Sequence, residues 1–143
     1  MTVAVKPVFL DTNILVYASI DTSPFHTAAR DALTQLESAE TPLWISRQVM
    51  REYLATLVRP SIPLPVAELV GAVRSFELRY HVAEDSPLVT AQFLSLLEQG
   101  LSRQVHDTNI VATMLTYGVQ RILTNNPNDF TPFQSLITVV PLT

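Results

Sequence analysis

Asp11, Glu52, Asp107 and Asp129 are the residues of this chain whose type and setting could do chemistry together. Carboxylates gathered in one cleft repel one another and raise each other's pKa. A hard divalent cation, magnesium or manganese, removes that cost. Held by a few carboxylates with waters retained, it organises a phosphate and a water for in-line hydrolysis. Asn13, two residues after Asp11, offers an amide to orient a ligand carboxylate or water, and Thr124, Asn125 and Asn126 offer a hydroxyl and two amides near Asp129. No serine is set as a conventional nucleophile, and the absence of cysteine excludes thiol catalysis, zinc–thiolate sites and disulfides. His106, the histidine beside a suspected acid, either supports its loop or carries a proton.

The positions of the acids follow from the elements expected to carry them. Pro7–Leu10 is an apolar run that stops at Asp11, as a buried strand does on entering a polar loop. Asp107 falls where a loop enters a helix, and Asp129 in the loop after the strand Arg121–Thr124. In an open α/β sheet these strand ends face the ligand crevice. The bland readings are a helix cap for Asp107 and a turn residue for Asp129. Glu52 lies on a helix with one apolar stripe of Met50, Leu54, Leu57 and Val58 and an adjoining one of Val49, Tyr53 and Thr56. A carboxylate at such a boundary needs a metal, a proton or an arginine, with Arg51 and Arg59 the nearby candidates.

Around these residues the pattern predicts helices over Ile14–Ser19, from Pro24 to about Ala39 with Ser23 as cap, from Ser46 to about Arg59, over Val66–Arg79, over Pro87–Gln99 and over Thr108–Tyr117. Prolines 60, 63 and 65 close the third helix, and Gly100 and Gly118 the last two. Strands are expected at Pro42–Ile45, Tyr80–Val82, Arg121–Thr124 and Leu136–Val140, with Asn125–Phe130 a polar loop. Alternating strands and helices predict an α/β fold, a mostly parallel sheet of four or five strands covered on both faces.

At 143 residues, with 48% hydrophobic and 15% charged, the chain is one ordinary domain with ample core material. The start, Met1–Pro7, is too short for a signal peptide or membrane span, so a cytoplasmic protein without a membrane is expected. A net charge of −4 argues against binding nucleic acid by bulk electrostatics but not against an acidic metal site. Arginine outnumbers lysine eight to one. That choice suits phosphate, or reflects a GC-rich genome.

Four segments carry a resemblance: Phe9–Ala18 (FLDTNILVYA), Ser46–Leu54 (SRQVMREYL), His106–Thr113 (HDTNIVAT) and Leu123–Phe130 (LTNNPNDF). In order and spacing they resemble the successive motifs of the PIN-domain family, in particular its VapC-like toxins of prokaryotic toxin–antitoxin pairs, from about Val8 to Val140. The resemblance implies a PIN fold over residues 1–143 as a single nuclease domain. It also implies magnesium- or manganese-dependent cleavage of RNA. Asp11, Glu52, Asp107 and Asp129 match the family's acids, and Thr12 and Asn13 the polar residues that help to fix the site. Many relatives carry aspartate where this chain has Asn126, which points to weaker metal affinity on that side. A homodimer and a small antitoxin, its tail offering an arginine to the acids, are the partners implied.

The alternatives are a PIN-like domain in RNA processing outside such a pair, a catalytically weak interaction domain, a DNA-directed nuclease and a phosphatase. The DNA enzyme wants basic elements to grip a duplex, for which a chain with one lysine has little room. The phosphatase wants an aspartate where Asn13 stands.

Overall fold

Short β-branched and aromatic runs become the strands, and the first two feed directly into helices capped by Asp11 and Ser46. In the computed structural model, which describes residues 5–142, β1 (Val8–Leu10) is followed by α1 (Thr12–Ser19) and α2 (His26–Ser38). β2 (Leu43–Ser46) leads into α3 (Arg47–Leu57) and α4 (Val66–Arg79), and β3 (His81–Ala83) into α5 (Pro87–Glu98) and α6 (Val105–Thr116). β4 (Arg121–Thr124) continues through a 3-10 segment, Pro127–Phe133, into β5 (Thr138–Pro141).

The sheet has five strands in the order β3-β2-β1-β4-β5, every neighbouring pair parallel. Right-handed crossovers then put α1 to α4 on one face and α5 with α6 on the other. Packing agrees, since α1 touches α2 and α3, α3 touches α4, and α5 lies along α6. β1 is the strand at which the winding reverses: its chain goes on to β2 on one side, whereas β4 joins it on the other after the return crossover. The crevice beyond the carboxyl ends of β1 and β4 is therefore the topological switch point, where open α/β sheets bind ligands. β1 itself is wholly buried, Val8, Phe9 and Leu10 lying between the two helical layers.

Several element boundaries differ from the sequence expectation for local reasons. α1 begins at Thr12 because Asp11 caps it. α2 begins at His26, not Pro24: the Ser23 carbonyl accepts from the His26 N–H at 3.1 Å and the Ser23 hydroxyl from the Phe25 N–H at 3.2 Å, closing a turn before the helix. α6 starts at Val105, three residues earlier than expected, which moves Asp107 from the helix boundary into its first turn. The stretch after β4 is not irregular but 3-10, anchored by the buried rings of Phe130 and Phe133, and β5 is displaced to Thr138–Pro141.

In α3 the buried face is Val49, Met50, Tyr53 and Leu57, while Val58 is exposed. The helix is thus rotated toward the stripe that carries Tyr53. Ser46 caps it as expected, accepting from the Val49 N–H at 3.2 Å. Arg47 in its first turn bonds Glu77 of α4 and Glu84 beyond β3, each at 2.6 Å. That solvent-exposed clamp contributes about 1 kcal/mol or less per pair.

The phase of α4 provides a test. Phe76, 8% exposed, meets the Tyr53 ring edge-on at 5.1 Å between centroids, whereas Leu78, two residues on, is 91% exposed. Phe76→Ala is expected to cost about 3–5 kcal/mol and Leu78→Ala within about 0.5 kcal/mol, read by urea denaturation. Equal losses at the two positions would contradict the packing.

Candidate active site

The site is built from the end of β1 outward. Asp11 follows the last residue of the strand, and its own N–H donates to the Leu123 carbonyl of β4 at 3.1 Å. The side chain then turns back to cap α1. Oδ1 accepts from the Thr12 N–H at 2.8 Å, and Oδ2 accepts from the Thr124 hydroxyl at 2.7 Å and the Asn13 amide at 3.5 Å. Asp11 is 9% exposed. Burial pushes its pKa up, the Thr124 and Thr12 hydrogen bonds pull it down, and the charge of Asp129 raises it again.

Thr124 is the counterpart of Asp11 at the end of β4. Its hydroxyl donates to Asp11 and accepts from the Asn126 N–H at 3.0 Å and the Asn13 amide at 3.4 Å. Asn13 Oδ1 in turn accepts from the Asn125 N–H at 3.3 Å. The polar residues read from the sequence as site support therefore form one network, with Asn13 tied to it at both ends of its amide. Thr12 contributes its N–H, while its hydroxyl oxygen is buried without a partner among the described residues.

The other three acids arrive from different elements. Glu52 lies midway along α3, Asp107 in the first turn of α6 and Asp129 in the first turn of the 3-10 segment. Together with Asp11 they line one cavity of about 340 Å³, which Asn13, Tyr17, Thr56 and Asn126 also border and which no lysine or arginine among the described residues lines. Neither arginine alternative pairs with Glu52 among the described residues: Arg51 reaches Asp85 at 3.3 Å and Arg59 donates to the Ala55 carbonyl. Glu52 Oε1 is buried with no hydrogen-bond partner among the described residues.

Charge accumulates accordingly. Burial raises the Glu52 pKa, followed by the charge of Asp11, with Gln48, His106 and Arg51 opposing. Asp107 is pushed up to about 6, first by burial and then by Asp129, Asp11 and Glu52, with His106 opposing. Asp107 thus feels the other three acids, Glu52 feels Asp11 and Asp11 feels Asp129, although among the described residues no pair of them shares a hydrogen bond.

Oxygen-only donors, an orphaned carboxylate oxygen and uncompensated negative charge fit a hard divalent cation. Among the described residues, however, no group of three or more His, Asp or Glu side chains is arranged to hold an ion directly. The fit is to a cation held through one or two carboxylates with its remaining ligands water, as magnesium prefers.

Two further residues bear on the site. Tyr17 sits on its rim and accepts from the Asn125 amide at 3.5 Å. Gln48, buried on α3, donates to the His106 carbonyl at 3.0 Å and accepts from the Asn109 amide at 2.7 Å, fastening the turn that carries Asp107 to the helix that carries Glu52. Its position one helical turn before Glu52 was the available signal, a polar residue at i and i+4 on a half-buried face. The His106 side chain is exposed and supports no loop; the bond is to its backbone.

Comparison with known proteins agrees with this geometry. The sequence profile of the PIN domain matches residues 8–131. Ribonuclease VapC24 of Mycobacterium tuberculosis is 27% identical over 130 residues, covering 87% of this chain and 89% of its own. Among solved structures, VapBC-1 of nontypeable Haemophilus influenzae superposes with a TM-score of 0.68 at 16% identity, covering 94% of this chain and 97% of that one. VapC20 of M. tuberculosis, described as a sarcin–ricin loop cleaving toxin, superposes with a TM-score of 0.66 at 16% identity, covering 92% and 96%. At those identities the two structures speak for the fold alone.

The raised Asp107 pKa has a measurable consequence in metal-free protein. An acid whose folded pKa lies above its unfolded value gives stability that is fully present below the unfolded pKa and lost as pH rises through the folded one. Wild type should therefore lose stability, relative to Asp107→Asn, as pH rises from about 4 through about 6, the window between the two pKa values. Thermal melts in EDTA across that range check it. Parallel pH profiles for the two proteins would show that Asp107 feels no crowding.

Proposed function

Because the chain belongs to the PIN-domain family, we propose that it is a metal-dependent endoribonuclease, residues 1–143 acting as one nuclease domain and as the toxin of a toxin–antitoxin pair. One observation carries the reading: Asp11, Glu52, Asp107 and Asp129 line a single cavity at the switch point of the sheet, with no lysine or arginine among its described lining residues. The ribonuclease name of the 27% identical relative supports the RNA substrate, and the similar VapC20 structure, described as a toxin, supports the toxin role.

Asp11 and Asp107 are the residues to hold magnesium or manganese, with Glu52 and Asp129 completing the site through water. When bound, the ion supplies positive charge to the phosphate oxygens and acidifies water. Asp11 brings a carboxylate already immobilised by three hydrogen bonds, so little ordering remains when substrate arrives. Glu52 Oε1, lacking a partner among the described residues, is free to accept a hydrogen bond from the attacking water and then its proton, a role its raised pKa favours. Asp129, on the open side, orients that water or the leaving oxygen. Asn126 brings an amide where an aspartate would have brought a fifth charge.

An acidic cavity without a cation also suits a guanidinium, which is how a small antitoxin's arginine would silence it. VapBC complexes among the similar structures support such a partner. The Val58–Val66 join between α3 and α4 exposes Val58 and Val66 beside Ile62 and Leu64 and is the surface proposed for part of a homodimer. Among the described residues no helix is long and apolar enough to cross a membrane.

Purified protein, freed of any co-purified antitoxin, should cleave single-stranded or loop RNA with added magnesium or manganese and stop in EDTA. The panel must include structured transfer and ribosomal RNA. Asp107→Asn keeps the size and removes a hard ligand, so activity should fall about 100-fold or more with the fold retained. Asp11→Asn should do the same with α1 still capped, since an asparagine Oδ1 accepts from the Thr12 N–H as the carboxylate does. Metal-dependent cleavage that survives both substitutions would sink the mechanism. Sedimentation at micromolar concentration should show a dimer, and a monomer of 15.9 kDa is the contrary result.

A further inference from the structure

Beside the acidic cavity, and sharing Glu52 with it, lies a second one of about 350 Å³ between α3, α5 and α6, whose chemistry is different. Phe93 supplies an aromatic wall and His106 an exposed ring, Gln48 and Asn109 bring amides, and Arg51 stands at the mouth. None of these five is needed to hold a cation. We propose that this cavity is a nucleoside subsite: it receives the nucleotide next to the scissile phosphate, its base against Phe93 and His106 and its own phosphate against Arg51. The proposal rests on the ribonuclease reading and adds where the strand runs.

Three observations carry the assignment. The two cavities share Glu52 as a wall, so they are neighbours on one surface and a strand with one phosphate over the acids can lay its next nucleoside toward the second. Single-stranded RNA is recognised by stacking its bases on aromatic and imidazole rings while cations track the backbone. Arg51 is the cation placed for that: its pairing with Asp85 is long at 3.3 Å and well exposed on both sides, whereas Arg47 is committed to two carboxylates at 2.6 Å. An exposed pair of that kind exchanges readily for a phosphate.

The amides add a contact. Gln48 must turn its NH2 to the His106 carbonyl, which leaves its Oε1 to receive the Asn109 NH2. Asn109 is thereby held with its own Oδ1 as an acceptor that has no partner among the described residues. An acceptor fixed in this way takes an N–H from a base edge, whether the exocyclic amino group of adenine or cytosine or the N3–H of uracil.

His106 and Arg51 are both exposed, so each can be removed without opening the core. In wild type, His106→Ala, Arg51→Ala and the double variant, KM and kcat would be measured on an RNA that wild type cleaves, with Leu78→Ala as a surface control. Each single change should raise KM about tenfold with kcat little altered, within the range of one base–ring contact. Adenosine, cytidine and uridine monophosphates, followed by NMR, should each shift the resonances of His106 and Asn109. That titration needs no cleavage, so an inert protein that still binds the nucleotides would overturn the nuclease reading and leave the subsite standing. Cleavage with unchanged KM in the double variant, or nucleotide shifts that bypass His106 and Asn109, would overturn the subsite. An unchanged KM is also the outcome expected if the cavity serves a protein partner instead.

Discussion

Asp11 is a carboxylate at the edge of the core, and a charge there must be solvated by something other than bulk water. The protein answers with the Thr12 N–H, the Asn13 amide and above all the Thr124 hydroxyl. Because Thr124 ends the neighbouring strand, the bond that steadies the charge also locks the carboxyl ends of β1 and β4 together. Capping α1 with the same side chain sets where the chain leaves the sheet. One carboxylate thus serves strand pairing, helix start and site geometry, and the remaining acids are positioned relative to it.

The arrangement places stability and chemistry in opposition. Burial, and after it the charge of neighbouring acids, raises the pKa of Asp11, Glu52 and Asp107, which means that folding holds these carboxylates where their ionised forms are disfavoured. The core offsets this: Phe9, Leu10, Ile14, Val49, Tyr53, Ile110, Ile122 and Phe130 are buried around the site, so the elements carrying the acids have little freedom to move apart. Gln48 adds a polar fastening between α3 and α6 where repulsion between Glu52 and Asp107 would otherwise part them. An electrostatically unfavourable cluster on a rigid frame is the situation in which a cation, a phosphate-bearing substrate with its cation, or a guanidinium gains most by binding.

Residue type and spacing carried much of this. Val66–Arg79 and Arg121–Thr124 have the observed bounds, because prolines, a clear apolar period and a short β-branched run leave little choice. The identity of the four acids was equally legible, each standing at an element end or on a half-buried helix face. What spacing alone obscured was local competition for hydrogen bonds. Ser23 closes a turn instead of capping α2, α6 begins early at Val105 with no side-chain cap to mark it, and two buried phenylalanines wind the stretch after β4 into a 3-10 segment.

By itself, then, the sequence determined the alternation of strands and helices, their parallel α/β class and which carboxylates are candidates, since these follow from local pattern and from the chemistry of each side chain. The tertiary structure decided the strand order, the choice of Thr124 as the partner of Asp11, the rotation of α3 that points Glu52 into the cavity, and the role of Gln48. It also separated the acidic cavity from the aromatic one beside it. Those are long-range facts: residues 113 positions apart meet in the Asp11–Thr124 bond and 58 apart in the Gln48–His106 bond. No local period encodes such meetings; they arise when the right-handed crossovers and the packing of both helical layers bring distant elements to the same end of the sheet.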